Sequence, residues 1–194
     1  AGIGLETLGL QMDRAAIVTD RHMCTNVSGV YAVGDCNAKL MLAHTASAQG
    51  EVAAENAMGG DVTYDGTSCP SCVYTDPELA GVGLTEAAAV EQGYDVGVGK
   101  FSLMANGKAV IINGGTGMVK AVIDSATKKI LGIHMLGARA TDIISECAVL
   151  VGTGATVDDV DRIIHAHPTV AEAVKEAVLA ADGRAIHTVN RKKK

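Results

Sequence analysis

The chain reads as an α+β protein: a domain built on an antiparallel sheet with helices on one face, preceded by the closing piece of an α/β unit. Three observations carry this. A short apolar run, Val30-Tyr31-Ala32-Val33, is followed by an alanine-rich helical stretch, as in an α/β unit. Several strand-like runs then follow one another from Cys72 to Leu136, and helical patterns close the chain from Thr141 to Ala181.

Taken in order, Val30 to Val33 suits a strand buried on both faces, ended by Gly34-Asp35. Ala43 to Met58 carries Glu51 and Glu55 four apart and Gly59-Gly60 behind, a helix ending at a glycine cap. Asp61 to Cys69 holds few large apolar residues and marks a boundary, giving domains at 1–68 and 69–187 with a basic tail at 188–194. Beyond it come strands at Cys72–Thr75 and Leu79–Gly83, a helix capped by Thr85 and followed by Gly93, and a strand at Val96–Leu103. Met118–Ile123 and Ile130–Leu136 flank a polar hairpin connection. Helices are expected at Thr141–Val151, at Val157–Ile164 behind Thr156, and from Thr169 to about Ala181.

A hydrophobic fraction of 48% supports a substantial core, and one Phe with no Trp means that aliphatic side chains and Met must build it. The net charge of -6 argues against a nucleic-acid partner, and the one basic cluster, Arg191 to Lys194, has the character of a solvated end. No run approaches the eighteen apolar residues of a membrane-spanning helix, and five cysteines at irregular spacing form no disulfide framework. A soluble protein of a reducing cytoplasm is expected.

The candidate chemistry lies in His165-Ala166-His167-Pro168-Thr169-Val170-Ala171-Glu172. Pro168 restricts His167 to extended conformations, and Glu172, in the first turn of the next helix, can reach back to its imidazole. A carboxylate there would orient the ring as a base. The same residues also spell a capping box, Thr169 capping and Glu172 returning to the Thr amide, and spacing alone favours that reading. No third ligand accompanies the two histidines, so no metal site is assigned. Cys69-Pro70-Ser71-Cys72 precedes a strand rather than a helix and lacks a second cysteine pair, which disfavours redox and zinc roles. Gly2-Ile3-Gly4, Gly81-Val82-Gly83 and Gly97-Val98-Gly99 are not dinucleotide fingerprints. Gly34-Asp35 stands where open α/β sheets bind ligands.

Thr25 to Asp35, followed by Leu42-Ala43-His44-Thr45-Ala46, resembles the second flavin-binding motif of the pyridine nucleotide-disulfide oxidoreductases. Thr75-Asp76-Pro77-Glu78 with Val82-Gly83 resembles the start of that family's dimerisation domain, and His-Ala-His-Pro-Thr is most similar to its dihydrolipoamide-oxidising branch. The resemblance spans nearly all of residues 1 to 187. It implies that Gly34 and Asp35 meet FAD, that Leu42, Ala43 and His44 open a helix aimed at the flavin, and that His167 and Glu172 are the acid-base pair. It further implies NAD as co-substrate, a homodimer whose pair acts on the other subunit's flavin and disulfide, and a lipoyl-bearing subunit of a 2-oxo acid dehydrogenase complex as partner. It leans towards a cis His167-Pro168 bond. Gln49 stands where the family usually has an acid, and Cys69 where it has an apolar residue. The glycine-rich FAD motif, the redox cysteine pair and an NAD domain are absent, so the chain is expected to be a fragment that neither retains FAD nor turns over alone. Glutathione- or mercury-reducing enzymes, and a non-catalytic dimerisation module, are the alternatives.

Overall fold

The computed structural model describes residues 4 to 190, which form two compact units dividing between Gly66 and Thr67. Gly2-Ile3 and the basic cluster from Arg191 to Lys194 lie outside the described residues.

In the first unit, two short strands, β1 (Met12–Asp13) and β2 (Ala16–Ile17), pair antiparallel. Val30 to Val33 is not a strand: Tyr31 makes one isolated bridge to Cys24, and the chain then tightens into a 3-10 turn over Gly34–Asn37. An apolar run becomes a central strand only when neighbours bond it along both edges, and none of the described residues provides such a ladder. Helix α1 (Ala43–Ala57) follows, with Thr45, Gln49 and Ala53 buried at four-residue spacing on one face. Its end is sealed as the glycines require: Gly59 sits at φ 91°, and the amides of Gly59 and Gly60 bond the carbonyls of Asn56 and Glu55.

The second unit contains β3 (Ser71–Val73), β4 (Glu78–Gly83), α2 (Glu86–Glu91), β5 (Val96–Ser102), α3 (Gly107–Asn113), β6 (Gly117–Asp124), β7 (Ile130–Gly137), α4 (Ala140–Gly152), α5 (Val157–Arg162) and α6 (Glu172–Ala181). The strands form one antiparallel sheet in the order β3-β4-β7-β6-β5. Alternation along them sends Ala80, Val119, Ala121, Ile133 and Met135 to one face, where they pack with Ile144 of α4 and Val174 and Val178 of α6. The smaller α2 lies on the opposite face, Ala89 against Val122 and Leu131. Thr85 caps α2 and Thr156 caps α5, each accepting a backbone N–H.

Helix α6 approaches β5 so closely that glycine is needed: a Cβ on Gly99 would land on the Ala177 carbonyl, and one on Gly97 would meet Ile123 and the Ala181 carbonyl. Two expectations change here. Helix α3 has no counterpart in the sequence reading, although Asn106 caps it by accepting from the Ala109 amide at 2.9 Å. Helix α6 begins at Glu172 rather than Thr169: the Thr169 amide is bonded to the Glu172 side chain, and the Val170 and Ala171 carbonyls take the Ala173 and Val174 amides in tight turns. Near the end of the described residues, Asn190 exchanges two hydrogen bonds with the Ala185 backbone.

Candidate active site

The connection between α5 and α6 brings two histidines to opposite environments. His165 points inward, with 7% of its side chain exposed, and its Nε2 lies 2.8 Å from Glu146 Oε1 on α4. His167 points outward, with 80% exposed, and its Nδ1 lies 2.9 Å from Glu172 Oε1 at the start of α6. The His167-Pro168 bond is cis, as is Asp76-Pro77.

Glu172 bonds two of the groups that its motif places within reach. One carboxylate oxygen takes the imidazole, and the other accepts the Thr169 amide at 2.8 Å. The Thr169 hydroxyl does not cap the helix; it donates to the Ala166 carbonyl at 2.7 Å. Only the Glu half of the capping box is formed, and it occupies one oxygen while the other meets His167. Burial pushes the Glu172 carboxyl up, but the Thr169 amide and the His167 ring together outweigh it and hold the group below its ordinary value. The remaining ring nitrogen of His167, Nε2, belongs to the exposed edge and can meet a proton donor from outside.

The hydrogen bond to Glu146 raises the His165 pKa, with burial opposing it. Glu146 is absent from the sequence reading. Its signal was a lone carboxylate in the apolar stretch from Ile143 to Val151, four residues after Asp142. Asn106 is also new: it caps α3 while its Nδ2 donates to the Thr169 carbonyl at 3.0 Å. Among the described residues, no three His, Cys, Asp or Glu side chains gather as a metal ion would require.

The other candidate residues lie in the first unit. Gly34, at φ 73°, brings the turn against α1, where an added Cβ would stand 3.0 Å from Ala46 Cβ. Gln49 holds this turn from α1, its Oε1 accepting from the Gly34 amide and from Asn37 Nδ2, each at 2.8 Å. Asp35 is exposed on the turn. Leu42 is half-buried and Ala43 and His44 are exposed at the start of α1, which has neither a side-chain cap nor an acid in its first turn. The first turn of this fifteen-residue helix thus brings no carboxylate of its own to the positive end.

The family described as pyridine nucleotide-disulphide oxidoreductase, dimerisation domain, matches residues 69–178. The chain belongs to this family. The family's pyridine nucleotide-disulphide oxidoreductase domain also matches residues 2–50. The chain is 44% identical over 191 residues to a dihydrolipoyl dehydrogenase of Thermus scotoductus, covering 98% of this chain and 41% of the relative. The dihydrolipoyl dehydrogenase of Bacillus subtilis is 44% identical over 187 residues, covering 96% and 40%. The chain thus spans about two fifths of the length of these curated relatives. Among solved structures, LpdA of Mycobacterium tuberculosis superposes with a TM-score of 0.84 at 28% identity, over 92% of this chain and 39% of that one. The flavoprotein disulfide reductase RclA of Escherichia coli, at 24% identity and a TM-score of 0.80, shares the fold over 92% and 42%.

Proposed function

We propose that this chain is the closing part of an FAD-dependent dihydrolipoamide dehydrogenase, in which His167 is the acid-base group and Glu172 its partner. The observation that carries this is the 2.9 Å contact between Glu172 and Nδ1 of an otherwise exposed imidazole. A carboxylate on Nδ1 makes that nitrogen the donor and leaves the lone pair on Nε2. The proton of a dihydrolipoamide thiol passes to Nε2 as the S–H bond breaks, and the electron pair stays on sulfur. The thiolate is the species competent for thiol-disulfide exchange, and Glu172 stabilises the imidazolium until its proton is returned. Relatives bearing the dihydrolipoyl dehydrogenase name support the substrate class.

FAD, when bound, supplies the two-electron acceptor between disulfide exchange and NAD. The residues present fit it: the exposed Asp35 offers an acceptor to ribityl hydroxyls, and the start of α1 at Leu42 to His44 offers a positive helix end to an electron-rich ring edge. The Gly34 turn, drawn in where a Cβ would crowd Ala46, aligns the two.

A homodimer is the working unit on this reading. On the sheet face away from α4 and α6, the paired Leu79 and Leu136 are 46% and 39% exposed, with Val73 opposite Leu79 also open, a row that a second copy would cover. The lipoyl-bearing subunit of a 2-oxo acid dehydrogenase complex is the partner that presents substrate. Five cysteines at irregular spacing suit a reducing cytoplasm, and no helix among the described residues is long and apolar enough to cross a membrane.

The test begins with the coding DNA upstream of Ala1, where a frame carrying the glycine-rich and redox-cysteine motifs is expected. In the enzyme so encoded, His167→Gln lowers NAD reduction by dihydrolipoamide about 10²- to 10⁴-fold with flavin content unchanged. Turnover within tenfold of the unsubstituted enzyme would overturn the assignment. The 194-residue chain alone is expected to leave FAD fluorescence unchanged and to show no turnover.

A further inference from the structure

An imidazole that is 80% exposed cannot be positioned by packing. Its placement rests on the hydrogen bond to Glu172 and on the backbone that carries it. That backbone is pinned from three elements. Lys175 of α6 donates to the carbonyls of Asp161 at 2.7 Å and Ile163 at 2.9 Å. Asn106, ahead of α3, holds the Thr169 carbonyl. From α4, Glu146 holds His165, two residues before His167.

The Glu146–His165 bond differs from the other two in that the loop's own side chain is ionisable and nearly buried. An apolar side chain would fill the same space without desolvating a charge, so space-filling does not account for this pair. What it adds is direction: a 2.8 Å charge-assisted bond fixes the His165 ring on α4, and with it the backbone two residues before His167. The charged groups facing His165 are Glu146 from α4 and Lys175 and Glu172 from α6; His165 in turn helps to hold the Glu172 carboxyl down.

We propose that His165 and Glu146 are a positioning pair: their bond seats the loop on α4 and so keeps His167 Nδ1 on Glu172 and Nε2 open. This rests on the reading of His167 as the acid-base group, but it is tested without turnover.

The test is imidazole ¹⁵N NMR of the 194-residue chain, with β6 and β7 amide resonances reporting that it is folded. In the unsubstituted chain the neutral His167 ring carries its proton on Nδ1. Glu146→Ala lowers the ratio of Nδ1–H to Nε2–H at His167 at least threefold. Glu146→Gln, which keeps an oxygen for His165, restores it to within twofold. A folded Glu146→Ala chain with an unchanged ratio overturns the proposal. Should that variant not fold, the unsubstituted chain decides: the pair is strongest while His165 is protonated and weakens as pH rises through its raised pKa, so the His167 ratio inflects at the His165 midpoint. A flat ratio there overturns it equally. Retained turnover in His167→Gln would instead sink the acid-base assignment and leave the positioning result standing.

Discussion

Glu172→Gln separates the two tasks of the Glu172 carboxylate. Two donors converge on its two oxygens, the Thr169 amide at 2.8 Å and His167 Nδ1 at 2.9 Å. Glutamine offers one oxygen and one NH₂, so one donor must face another donor. Thr169 is part-buried, and leaving its amide unpaired costs about 1–3 kcal/mol. The His167 ring is exposed and can instead move its proton to Nε2 and accept from the new NH₂ through Nδ1. The oxygen therefore stays with Thr169, and the ring changes tautomer. Stability falls by about 1 kcal/mol, because a charge-assisted bond to a largely exposed ring is worth less than a buried one. That loss is greatest above the ordinary Glu pKa of about 4.3 and vanishes as pH falls through the lowered Glu172 value, where the carboxyl is protonated in both states. In a complete enzyme the lone pair needed on Nε2 is gone, and turnover falls about 10²- to 10⁴-fold. Imidazole ¹⁵N shifts with urea unfolding at pH 7 and pH 3 provide the assay. A Glu172→Gln chain that keeps the neutral His167 proton on Nδ1 would refute the reasoning.

Gly99→Ala places a methyl against the Ala177 carbonyl and the Ala180–Ala181 backbone, forcing α6 off β5; a loss of about 3 kcal/mol is expected from urea unfolding, and an unchanged midpoint would contradict the close packing. Gln49→Leu leaves the buried Gly34 amide without its acceptor and takes one of two acceptors from Asn37 Nδ2, which keeps the Ala32 carbonyl, so a loss of about 2 kcal/mol should appear by the same measure, with α1 retaining its helical signal. Burial pushes the Cys147 thiol up to about 12 while Cys36 is exposed, so a thiol-specific reagent at pH 8 modifies Cys36 in the folded chain and Cys147 only after unfolding; equal rates would place Cys147 outside the core.

The order of elements in the second unit, α3 apart, was legible because each carries a local signal. Thr85 and Thr156 cap their helices, and the polar run after Asp124 turns the β6–β7 hairpin as its composition requires. Helix α3 was not legible as a period, since its Lys-Ala-Val-Ile-Ile run is continuous and lies between glycines; Asn106 was its one signal. Val30 to Val33 misleads for the opposite reason. Its residues suit a buried strand, but strand formation is a property of neighbours, and no ladder among the described residues flanks it.

At the candidate site, spacing alone placed Glu172 within reach of both Thr169 and His167, because five residues around a helix start keep all three local. Which bond forms was a tertiary matter. The Thr169 hydroxyl turned to Ala166, and the carboxylate divided its oxygens between backbone and ring. Glu146 meets His165 from nineteen residues away, through the packing of α4 and the loop around one core. Sequence determines contacts that a single turn can close; contacts between separate elements await the packing that brings them together.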